Sequence, residues 1–109
     1  MLKRQAAYIV ILGLLFTGIA NAEDGPFSAF GMASSSCGKY IQNITTSPEA
    51  ANVYSWWVAG FVTGTNLAKG RATSTDNAAH EAWLKKYCQE NPLDPFLKAA
   101  IELNKALDR

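Results

Sequence analysis

Apolar residues recur at helical spacing in four segments of the chain, and no segment shows the alternation that is typical of a β-strand. The segments begin near Ser36, Ser47, Asp76 and Asp94, and turn-forming residues separate them. This pattern predicts an all-α fold, a small bundle of about four helices, over residues 36–109.

The second segment has the clearest boundaries. Ser47 is a good N-cap, Pro48 suits the first helical position, and Gly70 suits the C-terminal stop after Lys69. No charge occurs between Glu49 and Lys69, so we expect this helix to be buried nearly all round, at the centre of the bundle. Its length leaves membrane insertion as an alternative, which its polar residues disfavour.

One face of this helix is the predicted packing face. Its members recur three and four residues apart: Val53, Trp57, Gly60, Phe61, Gly64, Leu67 and Ala68. The two glycines remove side chains from one stripe, which lets another helix or a second subunit come close. A helix-packing role is therefore predicted for Trp57, Gly60, Phe61 and Gly64, together with Trp83 of the third helix.

The other segments have weaker boundaries. The first helix is expected over about 36–43, and the third from Thr75 or Asp76 to Cys88. The last restarts at Asp94 and Pro95, read as an N-cap and a first-turn proline.

The start of the chain has the three parts of a secretory signal peptide. Lys3 and Arg4 precede an uncharged apolar run over 5–19, and the small-x-small triplet 20–22 follows. We predict cleavage after Ala22 and export to the periplasm. A membrane anchor is the alternative, but the run is short for a span. Residues 23–35, rich in Gly and Ser, are expected to form a flexible leader before the domain.

The charge balance bears on possible partners. Removal of residues 1–22 takes away two basic residues and no acidic one, so the formal charge falls from +1 to −1. No basic field remains for a phosphate backbone, and we expect no nucleic-acid partner. An exported domain of this size usually needs a covalent cross-link.

The two cysteines are predicted to supply that cross-link. Cys37 and Cys88 are the only cysteines, so one intramolecular disulfide can form. Closing a loop of roughly 50 residues stabilises a fold by about 4 kcal/mol in the chain-entropy model. Free thiols or a metal site are the alternatives, but two thiols and a lone histidine make a poor zinc site, and no metal or cofactor is expected.

Candidates for catalysis are few. His80 is the only histidine and lies on an apolar stripe, which favours a histidine packed in the core. A pH-sensing role for His80 is the alternative. The carboxylates are scattered, and no nucleophile elbow, phosphate loop or metal-ligand spacing occurs. We therefore expect no enzymatic activity.

The aromatic residues are the remaining signal. Most are expected in the core, but Tyr54 and Trp56 fall at the edges of the predicted packing face, where side chains are half exposed. Half-exposed aromatics often anchor a protein partner. Tyr54 and Trp56 are therefore the candidate partner-binding residues.

Several short motifs resemble those of a known family. Trp57, Gly60-Phe61 and Gly64 form one motif, and Cys88-Gln89-Glu90-Asn91-Pro92 forms another. With Cys37 and a final amphipathic helix, they resemble the small periplasmic all-helical Rap/Tai-type immunity proteins and, more loosely, the HdeA/HdeB acid-stress chaperones. The first resemblance implies neutralisation of a cell-wall-degrading toxin, and the second implies acid-triggered binding of unfolding clients.

Three functions are therefore open. The preferred interpretation is an exported, non-enzymatic protein-binding module of the immunity type. The alternatives are an acid-activated chaperone and a structural component of the envelope or of a secretion apparatus. The last predicts an oligomer, such as a homodimer, through the Gly60/Gly64 face or Trp56.

Overall fold

The computed structural model describes residues 28–109, which form a short 3-10 helix and four α-helices. The 3-10 helix is Gly31–Ser34, and the α-helices are α1 (Cys37–Thr46), α2 (Pro48–Lys69), α3 (Asn77–Glu90) and α4 (Phe96–Leu107). Within the described range the only β-type pairing is one isolated bridge between Ser36 and Pro95. The all-α prediction is therefore confirmed. The predicted signal peptide and residues 23–27 lie outside the described residues.

Local capping explains most helix boundaries. The Ser47 side chain accepts a hydrogen bond from the backbone N–H of Ala50 at 3.2 Å, and Gly70 closes α2 in the left-handed conformation with φ 62°. Asp76 caps α3 by accepting from the N–H of Ala79 at 2.9 Å. These caps satisfy backbone groups that the ends of a helix leave without partners.

Three predicted boundaries need correction. Helix α3 ends at Glu90 rather than at Cys88. Helix α1 continues to Thr46, and the hydroxyls of Thr45 and Thr46 also donate to carbonyls one turn earlier, at 2.6 and 2.9 Å. Asp94 does not cap α4, since the N-cap position is Pro95. The Asp94 carboxylate instead accepts a hydrogen bond from the Tyr87 hydroxyl at 2.7 Å.

The Cys37–Cys88 disulfide is confirmed and lies at the centre of the core. It joins the first residue of α1 to the last turn of α3, with the two Cα atoms 4.7 Å apart. Both cysteines are fully buried, beside Leu84 of α3 and Phe96 of α4. The cross-link therefore fixes two helices against each other from within the apolar interior.

An aromatic cluster fills the space where α1, α2 and α4 meet. Tyr40, Tyr54 and Phe96 form a triangle with ring centroids 4.7 to 5.1 Å apart, and edge-on contacts predominate. The Tyr54 hydroxyl is satisfied by hydrogen bonds with Ser35 Oγ at 3.1 Å and Asn43 Nδ2 at 3.4 Å. These contacts make a buried tyrosine favourable at this point.

The prediction of a flexible leader over 23–35 is wrong for its last part. Ala33 is buried, and the carbonyl of Ser35 accepts from the N–H of Phe96 at 2.7 Å. Just beyond, Gly38 approaches Pro92 so closely that a Cβ would lie 3.3 Å from the Pro92 carbonyl oxygen. The segment from Gly31 onward is therefore part of the folded domain.

Arg71 closes the opposite end of the bundle, a role that the sequence analysis did not anticipate. Its guanidinium donates to the side chain and carbonyl of Asn104, to Asn66 and to Asp108, over 2.6 to 2.9 Å. Its side chain is only 10% exposed. Lys69 and Arg71 together lower the pKa of the Asp108 carboxyl. This cluster ties the end of α2 to the end of α4.

Candidate functional site

The most prominent surface is one side of α2 that the rest of the domain leaves uncovered. We call it the exposed face of α2 and define it by Val53, Trp56, Gly60, Thr63, Gly64 and Leu67. All six residues are exposed, and Trp56 and Leu67 keep 76% and 84% of their surface in solvent. None of them is charged, so a largely apolar stripe follows the helix for most of its length.

The orientation of α2 explains why this face is free. The helix buries Tyr54, Val58 and Val62, which are four residues apart and share one side. The face that the apolar pattern predicts as the inner one is thus turned largely outward. The prediction that α2 is buried nearly all round is therefore wrong.

The two predicted packing glycines illustrate this correction. Among residues 28–109, nothing lies within 4 Å of a Cβ added at Gly60 or Gly64. The predicted packing role of the two glycines therefore fails within the described part of the chain. A glycine in a helix interior is about 1 kcal/mol less favourable than alanine, and nothing inside the domain offsets this loss.

Trp57 and Phe61 occupy the border between the buried and exposed sides. Their rings stack with centroids 5.5 Å apart and an interplanar angle of 9°, and both side chains pack partly against the core. Their predicted packing role is therefore seen in the structure. They also line an apolar groove of about 420 Å³ with Phe30, Leu97 and Ile101, which we call the aromatic groove.

The aromatic groove and the exposed face of α2 are continuous. Trp57 lies one helical turn from both Val53 and Gly60, so its ring adjoins the exposed face on one side and the groove on the other. Phe30, which is 79% exposed, also lines the groove. Together the two features form one apolar surface across α2 and the start of α4.

The two candidate partner-binding residues differ in their exposure to solvent. Trp56 is exposed at the middle of the exposed face, as a partner anchor requires. Tyr54 is only 2% exposed and belongs to the aromatic cluster, so its predicted half-exposed position is wrong. Trp83, predicted to pack between helices, is half-buried and stacks on Tyr87 of its own helix at 5.5 Å.

His80 is buried near the start of α3. Its Nε2 hydrogen-bonds with the Thr75 hydroxyl at 2.7 Å, whereas its Nδ1 is buried and finds no hydrogen-bond partner in the part of the chain that the structure describes. Burial lowers the pKa of the imidazole from its ordinary value of 6.5, and the nearby Asp76 carboxylate opposes this shift. The neutral form is therefore the one that the fold accommodates.

This environment predicts a dependence of stability on pH. Because the pKa of His80 is lower in the folded state, the unfolded state binds more protons, and the free energy of unfolding falls as the pH drops below about 6.5. Urea unfolding between pH 7 and pH 5 measures this slope. His80→Gln is expected to flatten it, because glutamine does not titrate.

Asp76→Asn serves as the matched control, because asparagine still caps the helix but no longer favours the imidazolium. We expect this variant to lose stability more steeply in the same range. Equal slopes for the wild type and His80→Gln would contradict the prediction.

A second cleft, of about 330 Å³, lies among α1, α2 and α3. Its polar groups include Glu81, which accepts a hydrogen bond from the Ser55 hydroxyl, and Lys85. Tyr40 lines its inner wall, and burial, with the Glu81 charge, raises the pKa of Tyr40 to about 12. Ser55 has the Glu81 carboxylate beside it, and no histidine is among the residues that line this cleft.

Within residues 28–109, no group of three or more His, Cys, Asp or Glu side chains is placed to hold a metal ion. Of the helices described there, none combines the length and the apolar character that crossing a membrane requires.

In comparisons with known proteins, no family model, no curated protein and no solved structure matches the chain.

Proposed function

We propose that this chain is an exported, non-enzymatic module that binds another folded protein through the exposed face of α2 and the adjoining aromatic groove. The observation that carries the proposal is the exposure of Trp56 and Leu67 on an uncharged helix face. The largest apolar patch on the surface of a domain is often its functional surface.

The shape of the surface favours a protein over a small ligand. The exposed face runs over Val53 to Leu67 of α2, so it extends for about 22 Å. A small molecule is usually enclosed by its pocket, whereas this surface is long and open. Exposed aromatic side chains at the centre of an apolar patch are typical anchors of protein–protein interfaces.

The preferred partner is a toxin that attacks the cell wall. The signal-peptide pattern would place the domain in the periplasm, and the motifs around Trp57 and Cys88 resemble Rap/Tai-type immunity proteins. An immunity protein acts by occupying its target, so it needs a docking surface and no catalytic group.

Capture of the partner tests this function. The tagged, oxidised protein is incubated at pH 7 with periplasmic extract from cells that carry the candidate toxin, and bound proteins are identified. We expect one stoichiometric partner, and Trp56→Ala should weaken its binding by about 2 kcal/mol, close to 30-fold. Leu67→Asp should also weaken it strongly.

Leu93→Asp is the matched control for Leu67→Asp, because Leu93 is 95% exposed but lies in the turn before α4. This variant should bind as the wild type does. Absence of any stoichiometric partner, or equal losses for the Leu67 and Leu93 variants, would refute the proposed surface.

An acid-activated chaperone is the second candidate, and the buried His80 favours it. Protonation of this imidazole, then of Asp94 and Asp108, whose pKa values the fold lowers, would loosen the domain as the pH falls. The same capture at pH 3 separates the two candidates. Many bound proteins in acid and none at pH 7 would favour the chaperone.

A further inference from the structure

The exposed face of α2 has an internal symmetry that its composition alone does not reveal. Counting outward from Gly60, Trp56 lies four residues before it and Gly64 four after it, while Val53 and Leu67 lie seven before and seven after. When the face is followed from Gly60 in each direction, the large Trp56 on one side corresponds to the small Gly64 on the other, and Val53 corresponds to Leu67.

We propose that this face binds a second copy of the chain in an antiparallel helix pair, with a two-fold axis at Gly60; this inference rests on the protein-binding function proposed above and makes the second copy a competitor of any other protein for that face. A two-fold interface uses the same patch on both subunits, so the patch must be complementary to itself. The spacing about Gly60 satisfies this requirement.

Each position of the face then has a defined neighbour. Gly60 lies against Gly60 of the partner subunit, so the two helix backbones approach closely at the axis. Trp56 covers Gly64 of the partner subunit, and Val53 packs against Leu67 of the partner subunit. Large residues over small ones give the interdigitation that close helix packing requires.

The pairing also accounts for features that the single domain leaves unexplained. The glycines at 60 and 64 have open space around them in the monomer, although each weakens the helix. The face carries no charge, so two identical copies meet without opposing like charges. Antiparallel α2 helices also place opposite ends of their dipoles side by side.

The size of the surface sets the expected strength. The exposed face runs from Val53 to Leu67, so it is about 22 Å long, and with a width of roughly 10 Å its footprint is about 220 Å². A stable interface needs about 800 Å² from each partner, so this face alone supports only a weak, reversible pairing. We therefore expect a dimer that forms only toward the submillimolar end of the concentration range, with the aromatic grooves left open at its two sides.

Analytical ultracentrifugation of the oxidised protein, from submicromolar to submillimolar concentration at pH 7, tests the pairing. The wild type should change from monomer to dimer across this range. Gly60→Leu should weaken the dimer by about tenfold or more, since two leucines would meet at the axis. Its Tm at low concentration should be unchanged or higher, because leucine favours the helix and open space surrounds the position.

The Leu67→Asp and Leu93→Asp variants provide the matched pair, and only the first should dissociate the dimer. A wild type that stays monomeric throughout, or a dimer that Gly60→Leu leaves intact, overturns the pairing. Trp56-dependent capture of a different protein by a monomeric chain would also overturn it, while leaving the proposed function in place. A dimer that captures no other protein would support the pairing and count against the toxin.

Discussion

Removal of the Cys37–Cys88 disulfide is expected to lower the free energy of unfolding by about 4 kcal/mol, the chain-entropy value for a loop of this length. The two cysteines are 51 residues apart, so the oxidised unfolded chain is strongly restricted. A small domain has a total stability of roughly 5 to 15 kcal/mol, and its core is limited by its surface-to-volume ratio. The reduced protein should therefore lie close to its unfolding threshold.

Urea unfolding of the oxidised wild type and of a Cys37→Ala/Cys88→Ala double variant measures this contribution. Alanine is suitable because both sites are fully buried and apolar. Dithiothreitol should destabilise the wild type and leave the double variant unchanged, which controls for other effects of the reductant. Coincident unfolding curves for the wild type and the double variant would refute the prediction.

Phe96→Ala is expected to destabilise the domain by about 3 to 5 kcal/mol, the range for truncation of a buried phenylalanine. The Phe96 ring is fully buried and contacts Tyr40, Tyr54 and Trp57, with centroid distances of 4.7, 5.1 and 5.7 Å. Its removal would leave a cavity bounded by three helices and separate the start of α4 from the core.

Phe30→Ala is the matched control, because it deletes the same atoms from a ring that is 79% exposed. Thermal and urea unfolding should show a change of within about 0.5 kcal/mol for this variant, as for most surface substitutions. Similar losses for Phe30→Ala and Phe96→Ala would show that the aromatic cluster does not stabilise the fold as described.

The boundaries of α2 could be predicted from the sequence, because the signals that set them are local. Ser47, Pro48 and Gly70 each act through the backbone of the next or preceding turn. The inward side of α2 could not be predicted in the same way. The helix is apolar on several sides and has no charge to mark the solvent face, so the pattern fits more than one rotation.

The hydrogen bonds of Tyr54 show which contacts determine the side of α2 that faces the core. Burial of a tyrosine is favourable only where its hydroxyl finds a partner, and the partners here are Ser35 and Asn43, 19 and 11 residues away. Arg71 was missed for the same reason, since its shortest hydrogen bonds reach Asn104 in α4 and Asp108 just after it. Such contacts depend on the tertiary arrangement, which a spacing rule does not contain.

The position of the disulfide also determines which fragments a single proteolytic cut can release. Cys37 and Cys88 enclose α1, α2, the connection 70–76 and most of α3 in one covalent ring. A single cut anywhere in that ring, including the connection, leaves both fragments joined. Helix α4 lies outside the ring, so one cut near Pro92 frees it from covalent attachment. A single proteolytic cut therefore cannot separate the part of the chain that carries the exposed face of α2 from the rest of the disulfide-linked ring.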